Sequence, residues 1–585
     1  MRLATAALLA AASLLVCVAS AEAARPNVVV IETDDQTAQS LRFMPTLQRL
    51  IADQGVTFDN SFVSYSLCCP SRATFLTGQY PHNHGVFDNV LPYGSFYKLR
   101  GGNTLPVWLR AAGYRTIQLG KYLNGYGSRD PRQVPPGWTD WHALISDFTY
   151  HYFGFELNEN GRVRYFPPSP ANYQTDVLAR KAVNLIRRAS RGPKPFFMWT
   201  AFVAPHFAFD EAPEPDDPPE IRTPVPAPRD RNRFAGEPLP ITPAFDERDV
   251  RDKPATIRVH PEFGSDEAHA ITENYQQELE SLQAVDRGVG RIVDALRRAG
   301  QLGNTYLVFT SDNGYFHGEH RLPREKILPY EPSIRVPLLV RGPGVPHGVH
   351  LSQLASNQDL APTILDAANA KPGLAEDGTS LLALIRHPRV ELGRDLLVEG
   401  LYRSLPNVTF SALRSRRWFF AEYSNGEREL YDLLADPDEL VNRDLDPAYA
   451  GIEADLTRRL AGLRRCAGKA CLAHPRIEPV LGYQTGIGRG GVTCASSAVQ
   501  ITLDGPDRGQ IDLVDVYANG RRVASGSGGT RTFTIPRAAL PRGEVALRPT
   551  AYLTDDRAYT TLARVRTCGK RTGFAAQARP AQQLR

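Results

Sequence analysis

Residues 25–36 read RPNVVVIETDDQ: four consecutive aliphatic side chains, Val28 to Ile31, and then a pair of aspartates. An apolar run of that length without polar alternation is a strand buried on both faces, the texture of a parallel sheet. The pattern returns in NTYLVFTSDNG (304–314), which ends on Asp312 and Asn313, and in PFFMWTAFVAPH (195–206), which ends on His206. Residues 115–121 are a further run, closing on Gly120 and Lys121, and VPLLVRGPG (336–344) and DLAPTILDAA (359–368) continue the rhythm. Between these runs lie segments of helical periodicity: MPTLQRLIADQG (44–55), LPVWLRAA (105–112), ANYQTDVLARKAVNLIRRA (171–189) and a long stretch from about 275 to 299. Helices alternating with apolar strands predict an α/β domain whose mainly parallel sheet is sandwiched by helices. Ligands of such sheets bind outside the carboxyl ends of the strands, where each polar cluster named above falls.

The chain has 585 residues, more than one core of ordinary size accommodates. Its 68 basic and 63 acidic residues leave a formal charge of +5 and no dense basic block, so nucleic acid is not an expected partner. Residues 1–23 combine Arg2, an apolar stretch from Leu3 to Ala19, and small residues at Ala19, Ala21 and Ala23, the pattern of a secretory signal peptide. No other stretch is apolar for long enough to span a bilayer, so an exported protein is expected. Cys17 leaves with that leader. In an oxidising compartment Cys466 is expected to pair with Cys471, and Cys494 with Cys568. Cys68 and Cys69 then have no partner.

Residues 24–400 are read as the α/β domain. Within it, 211–256 is rich in proline and charge and is expected to be a long surface excursion. Residues 401–475 change texture to antiparallel strands followed by a helix, a small subdomain. Residues 476–570 show short strands and turns, including Ala-Asn-Gly at 518–520, and are expected to form a β-sandwich-like module closed by Cys494 and Cys568. Residues 571–585 are expected to be a disordered tail.

Asp34, Asp35, Asp312 and Asn313 are hard oxygen donors at two strand ends, suited to Ca²⁺, with Mg²⁺ as the alternative, rather than to zinc. Taken singly each pair would be an ordinary cap or turn former. Arg72, Lys121, His206 and Lys326 add the positive charge needed to receive an oxyanion.

The adjacent cysteines lie in SLCCPSRATFLTG (66–78). Cys68, Pro70, Ser71 and Arg72, followed by Leu76-Thr77-Gly78, resemble the signature C-x-P-S-R-x-x-x-L-T-G of the type I, formylglycine-dependent sulfatases. The likeness runs from about residue 25 to 390 and includes DDQ (34–36), GKY (120–122), APH (204–206), TSDNG (310–314) and the K-x-x-x-Y-E run from Lys326 to Glu331. CCPSRATFLTGQYPHNHGV, GKYLNGYG, SDNGYFHGEHRLP and the Cys466/Cys471 spacing are most similar to the N-acetylglucosamine-6-sulfatases. The resemblance implies an alkaline-phosphatase-like sulfatase fold. It also implies that Cys68 becomes Cα-formylglycine through a formylglycine-generating enzyme that reads C-x-P-x-R.

In that chemistry the aldehyde is hydrated, and one hydroxyl attacks sulfur as the alcohol departs. The second hydroxyl is then deprotonated, the C–O bond breaks, and sulfate leaves as the aldehyde returns. By position, Asp34, Asp35, Asp312 and Asn313 would hold the metal next to residue 68, and Arg72 would hold the diol. Lys121, His206 and Lys326 would contact sulfate, with His206 or Lys326 as the acid for the leaving alcohol. Two departures stand out: Leu123 where many sulfatases have histidine two residues after the lysine, and Pro332-Ser333 where many have Gly-Gly. The expected substrate is a sulfated carbohydrate, led by N-acetylglucosamine-6-sulfate, with an aryl sulfate as the alternative. Phosphate-ester hydrolysis and non-catalytic binding of sulfated glycans are the rival readings.

Overall fold

A computed structural model describes residues 25–209, 222–403, 408–472, 475, 477–487, 492–527, 529, 530 and 532–568. The leader at 1–23 and the tail at 571–585 lie outside the described residues. The main sheet has ten strands: β1 (Asn27–Asp34), β2 (Val56–Phe62), β3 (Arg115–Gly120), β4 (Asp140–Leu144), β5 (Phe155–Glu159), β6 (Arg162–Phe166), β7 (Phe196–Pro205), β8 (Thr305–Ser311), β9 (Leu338–Arg341) and β10 (Val349–Ser356). Their spatial order is β10-β2-β9-β8-β1-β7-β3-β4-β5-β6. From β8 across to β4 all neighbours are parallel. These strands are apolar throughout because cores bury both faces, one centred on Val28, Val30 and Trp199, the other on Val29, Ile31 and Met198.

The α/β class read from the alternation holds, with local differences. β9 runs antiparallel to both its neighbours, and β5 and β6 form an edge hairpin. The helix expected at 44–55 is broken into a single α-turn, Pro45–Leu47, and a π-type turn, Gln48–Ala52. Helix α1 (Cys68–Thr77) follows β2, and α2 (Gln174–Ala189) packs on α3 (Ser265–Arg298), which begins ten residues before the expected start near 275, with Ala270 and Ile271 already buried. The described part of the proline-rich excursion is largely packed rather than loose. Val225 and Ala227 enter the core, the Tyr173 hydroxyl donates to the Val225 carbonyl at 3.0 Å, and Asp230 pairs with Arg287.

A second, antiparallel sheet follows: β11 (Leu396–Tyr402), β12 (Val408–Arg414), β13 (Trp418–Tyr423) and β14 (Arg428–Asp432), backed by α4 (Ala450–Leu463). The C-terminal strands form two further sheets around one core. β15 (Glu478–Gly482), β18 (Val499–Asp504) and β21 (Thr532–Ile535) face β16 (Thr485–Ile487), β17 (Thr493–Ala495), β19 (Ile511–Ala518), β20 (Arg521–Ser527), β22 (Gly543–Leu553), β23 (Ala558–Thr560) and β24 (Ala563–Thr567). The β19–β20 hairpin turns through Asn519 and Gly520, both at positive φ, as a primed turn requires. Both expected disulfides are present, Cys466–Cys471 and Cys494–Cys568, and Cys68 and Cys69 are buried free thiols.

Candidate active site

Sheet order explains why residues far apart in sequence meet. β1 has β8 on one side and β7 on the other, in register at Thr33 with Ser311 and at Asp34 with Pro205. The chain beyond those ends therefore sets Asp312 and Asn313, Asp34 and Asp35, and His206 side by side. The Asp312 N–H closes the seam by donating to the Thr33 carbonyl at 3.1 Å. Lys121 comes from the next strand, its N–H donating to the Ala201 carbonyl at 2.9 Å. Gly120 permits that turn: it sits at φ +95°, and a Cβ there would lie 2.0 Å from the Ala201 oxygen.

Cys68 occupies the first position of α1 and Arg72 the next turn, so both side chains enter the same pocket. Lys326 arrives on a loop with Glu325 at φ +133° and Ile327 at φ +85° on either side of it. An isoleucine in that region is strained and persists only where its surroundings fix it. The Ile327 N–H donates to the Ser66 carbonyl at 2.9 Å, and the Tyr330 hydroxyl donates to Glu429 Oε1 at 2.6 Å. Glu331 Oε1 accepts from Arg414 Nε at 2.6 Å. The K-x-x-x-Y-E run thus has one end in the pocket and the other anchored in the second sheet.

All nine residues singled out in the sequence come together, and all are buried. Ligand atoms of Asp34, Asp35, Cys68 and His206 lie within 4.8 Å of one another. Arg72 Nε donates to Asp312 Oδ2 at 2.7 Å, its Nη2 lies 3.1 Å from Glu32 Oε1, and Nη1 donates to the Lys121 carbonyl at 3.2 Å. Lys121 pairs with Asp34 and Lys326 with Asp35, and Lys326 Nζ also donates to Cys68 Sγ at 3.1 Å. Cys68 Sγ donates to Asp34 Oδ1 at 3.4 Å, and Asn313 Nδ2 to Asp35 Oδ1 at 2.6 Å.

Burial alone would raise the Asp34 and Asp35 carboxyls. Lys121, His206 and Arg72 hold the first below its usual range, and Lys326, His206 and Lys121 hold down the second. Burial pushes Glu32 up to about 7, opposed by Arg72, and pushes the Cys68 thiol up to about 12. As a cysteine, residue 68 is a poor nucleophile near neutrality. Burial also lowers His206, outweighing Asp35 and Asp34. His206 Nδ1 lies 2.7 Å from the Phe207 carbonyl and so carries the proton, leaving Nε2 to face Asp35 Oδ2 at 3.6 Å.

Two buried oxygens bear on metal binding. Asp35 Oδ2 and Asn313 Oδ1 have no hydrogen-bond partner among the described residues. Such acceptors are costly to bury unless something positive meets them. They belong to residues already read as ligands, and the donor set is oxygen-rich, so the site fits a hard divalent cation.

Sequence reading missed several residues at the site. Glu32 sits two residues before Asp34 on the same face of β1, a period-two signal hidden inside an apolar run. Tyr150 stacks on His206 with ring centroids 4.3 Å apart and lies 4.7 Å beneath Lys121 Nζ; Asn124 Nδ2 donates to its hydroxyl at 2.7 Å. Phe207 and Phe209 extend this aromatic wall, and no motif announces them. Leu123 is a core residue here, packed with Tyr122 and Tyr126, and offers no proton acceptor. Pro332 and Ser333 accept hydrogen bonds from Tyr315 and Gly314 through their carbonyls, at 3.0 and 2.8 Å.

A cationic pocket with an oxygen-rich seat, at the carboxyl edge of such a sheet, defines a hydrolase of anionic esters. The sulfatase family model matches residues 26–370, and the model for the C-terminal part of N-sulphoglucosamine sulphohydrolase matches 318–466. The chain belongs to the sulfatase family and is a sulfuric ester hydrolase. Human N-acetylglucosamine-6-sulfatase is 34% identical over 508 residues, covering 79% of this chain and 88% of that protein. The arylsulfatase of Volvox carteri is 34% identical over 510 residues, covering 78% of each. A solved protein in complex with its substrate D-glucosamine-2-N,6-O-disulfate superposes with a TM-score of 0.61 at 24% identity, over 75% of this chain and 97% of that one. That structural likeness concerns the fold alone.

Proposed function

We propose that this sulfatase releases inorganic sulfate from 6-sulfated N-acetylglucosamine units, with Cys68 converted to Cα-formylglycine and Ca²⁺ held by Asp34, Asp35, Asp312, Asn313 and residue 68. The observation that carries this reading is the setting of Cys68: first residue of its helix, 3.1 Å from Lys326 Nζ, beside ligand oxygens that lack partners. The hydrated aldehyde supplies a hydroxyl nucleophile and a second hydroxyl whose deprotonation expels sulfate. The cation supplies Lewis acidity toward the nucleophile and the sulfate oxygens.

The chain's own residues do the rest. Arg72 orients residue 68 and neutralises Glu32 and Asp312. Lys121 and Lys326 exchange part of their carboxylate pairing for the sulfate oxygens. The proton for the departing sugar oxygen comes from Lys326 Nζ, or from His206 once Nε2 has been protonated beside Asp35 with Nδ1 still engaged by the Phe207 carbonyl. The half-buried rings of Tyr150, Phe207 and Phe209 exclude water beside that oxygen and suit the apolar face of a sugar.

The same reading makes residues 1–23 a signal peptide and the protein exported, with the formylglycine-generating enzyme as its maturation partner. No helix among the described residues is long and apolar enough to cross a membrane. The domain limits 24–400, 401–475 and 476–570 are proposed with it. Broad arylsulfatase activity is the second reading, favoured by the likeness to the Volvox enzyme. Sulfate release from a panel of sulfated sugars and aryl sulfates separates the two. Turnover of 6-sulfated N-acetylglucosamine above that of aryl sulfates is expected. Brisk aryl turnover with none on the sugar would reject the leading substrate.

A further inference from the structure

The C-terminal sandwich lies beyond both family matches, which end at residue 466. Its larger sheet buries Val514, Val516, Leu547 and Val565 on one face. On the other face, Tyr517 of β19 stands opposite Arg548 of β22 and opposite Arg522 of β20. Arg564 and Arg566 of β24 alternate with buried Ala563, Val565 and Thr567, so they share that outer face.

The α/β part adds to the same patch. Beyond the short helix Leu382–Arg386, Arg389 places its guanidinium 5.7 Å from the Tyr517 ring and donates to the Gly520 carbonyl. Arg548 Nη2 lies 2.9 Å from His387 Nε2. A guanidinium cannot accept, so that imidazole nitrogen does, and His387 is neutral there.

Five arginines, 386, 389, 522, 548 and 564, therefore crowd around Tyr517 and His387 at the joint. Two carboxylates answer them: Asp515, 3.4 Å from Arg522, and Glu544, 3.3 Å from Arg564. No carboxylate of the described residues pairs with Arg386, Arg389, Arg548 or Arg566. The crowding has a cost. Burial and then Arg564 lower Arg548, and burial followed by Arg548 and Arg386 lowers His387. A merely solvated surface relieves such repulsion by spreading its side chains into water. Here Arg548 is held against a neutral ring and Arg389 against a backbone carbonyl.

We propose that this arginine–tyrosine ridge binds a strand of sulfated polysaccharide outside the catalytic cleft. Guanidinium forks match sulfate and carboxylate groups bidentately, and the half-exposed Tyr517 offers a ring face to a sugar. Arginines on neighbouring and next-neighbouring strands stand roughly 5 and 10 Å apart, a spacing commensurate with successive sugar rings. The ridge keeps a polymeric substrate on the enzyme between turnovers. That last consequence rests on the carbohydrate substrate proposed above; the binding itself does not.

The test uses the full-length active protein, soluble heparin as the probe, and the triple variant Arg386→Gln/Arg522→Gln/Arg548→Gln. A control variant, Arg180→Gln/Arg187→Gln/Arg191→Gln, removes the same charge from exposed positions in and just after α2. With about twofold lost per exposed pairing, the ridge variant is expected to bind heparin about tenfold more weakly. The control should bind like the parent, and all three should turn over a small sulfate ester equally. Undiminished heparin binding by the ridge variant would overturn the proposal, as would an equal loss in the control. Equal or tighter ridge-dependent binding of single-stranded DNA or of anionic phospholipid vesicles would overturn the assignment to sulfated glycan. A parent that binds heparin through the ridge but turns over no sulfate ester would reject the catalytic reading and leave the ridge standing.

Discussion

Opening the Cys494–Cys568 bridge should unfold the C-terminal sandwich and leave catalysis in place. The bridge spans 74 residues and joins β17 to the end of β24, which pair only at Ala495 and Thr567. A cross-link restricts the unfolded chain more as its loop lengthens, from about 3 kcal/mol for 15 residues to about 4.7 for 100, so this one contributes about 4.5 kcal/mol. Cys466–Cys471 encloses a separation of 5 and is worth only about 2 kcal/mol on the same scale. For a module of this size each kcal/mol moves the melting temperature by about 4–8 °C, so the Cys494→Ala/Cys568→Ala variant should lose its sandwich transition below physiological temperature. Differential scanning calorimetry reads that transition, and limited trypsin digestion locates it, since the exposed arginines of β20 and β24 become cleavable. Turnover of a small sulfate ester should stay within about twofold of the parent, because none of the nine site residues bonds or pairs with a described residue of the module. A sandwich transition displaced by less than about 1 kcal/mol would refute the loop-entropy reasoning. Joint collapse of the catalytic transition would refute the module's independence.

Further outcomes can be checked at the site and beside it. Lys326→Met keeps the stem and removes the cation beside residue 68 and Asp35; kcat/KM should fall by about 10²–10⁴-fold with the melting temperature little changed, and a loss below tenfold would contradict the role given to Lys326. Chelation of divalent cations should lower both activity and melting temperature, with Ca²⁺ restoring both, because it uncovers the Asp34, Asp35 and Asp312 carboxylates and leaves the buried Asp35 Oδ2 and Asn313 Oδ1 with nothing positive to meet them. Asp35→Asn should blunt the restoration. His84 is held neutral, accepting from the Val86 N–H at 3.1 Å with Thr74 Oγ1 3.0 Å from its other nitrogen, and burial pushes it down to about 3. The unfolded chain takes up a proton near pH 6.5 that the folded chain refuses, so this group's contribution falls as pH drops from 6.5 toward 3, by about 1.4 kcal/mol per unit. Urea unfolding at pH 6.5 and pH 5 should show about 2 kcal/mol more loss for the parent than for His84→Gln, and equal losses would contradict it.

The catalytic half was legible where chemistry and backbone rhythm coincide. Asp34, Asp312, His206 and Lys121 each follow an apolar run, and strand order then brings them together. Cys68 and Arg72 stood out through a dense motif. The direction of β9 was hidden, because LLVR reads alike in either orientation. Burial of the segment around Val225 depends on Tyr173 and Arg287, distant partners that its own proline-rich composition does not suggest. Tyr150 and Asn124 look like ordinary loop residues until the fold brings His206 against the ring. The arginine ridge is drawn from three separated segments, and each alone reads as surface charge.

The central claim is that residue 68 works as an aldehyde. Trypsin should release residues 50–72 as one peptide carrying Cys68 and Cys69. Mass spectrometry of active protein should find it lighter by one sulfur and two hydrogens, heavier by one oxygen, with a single thiol left to alkylate. Fully active protein in which both thiols of that peptide alkylate would contradict the account.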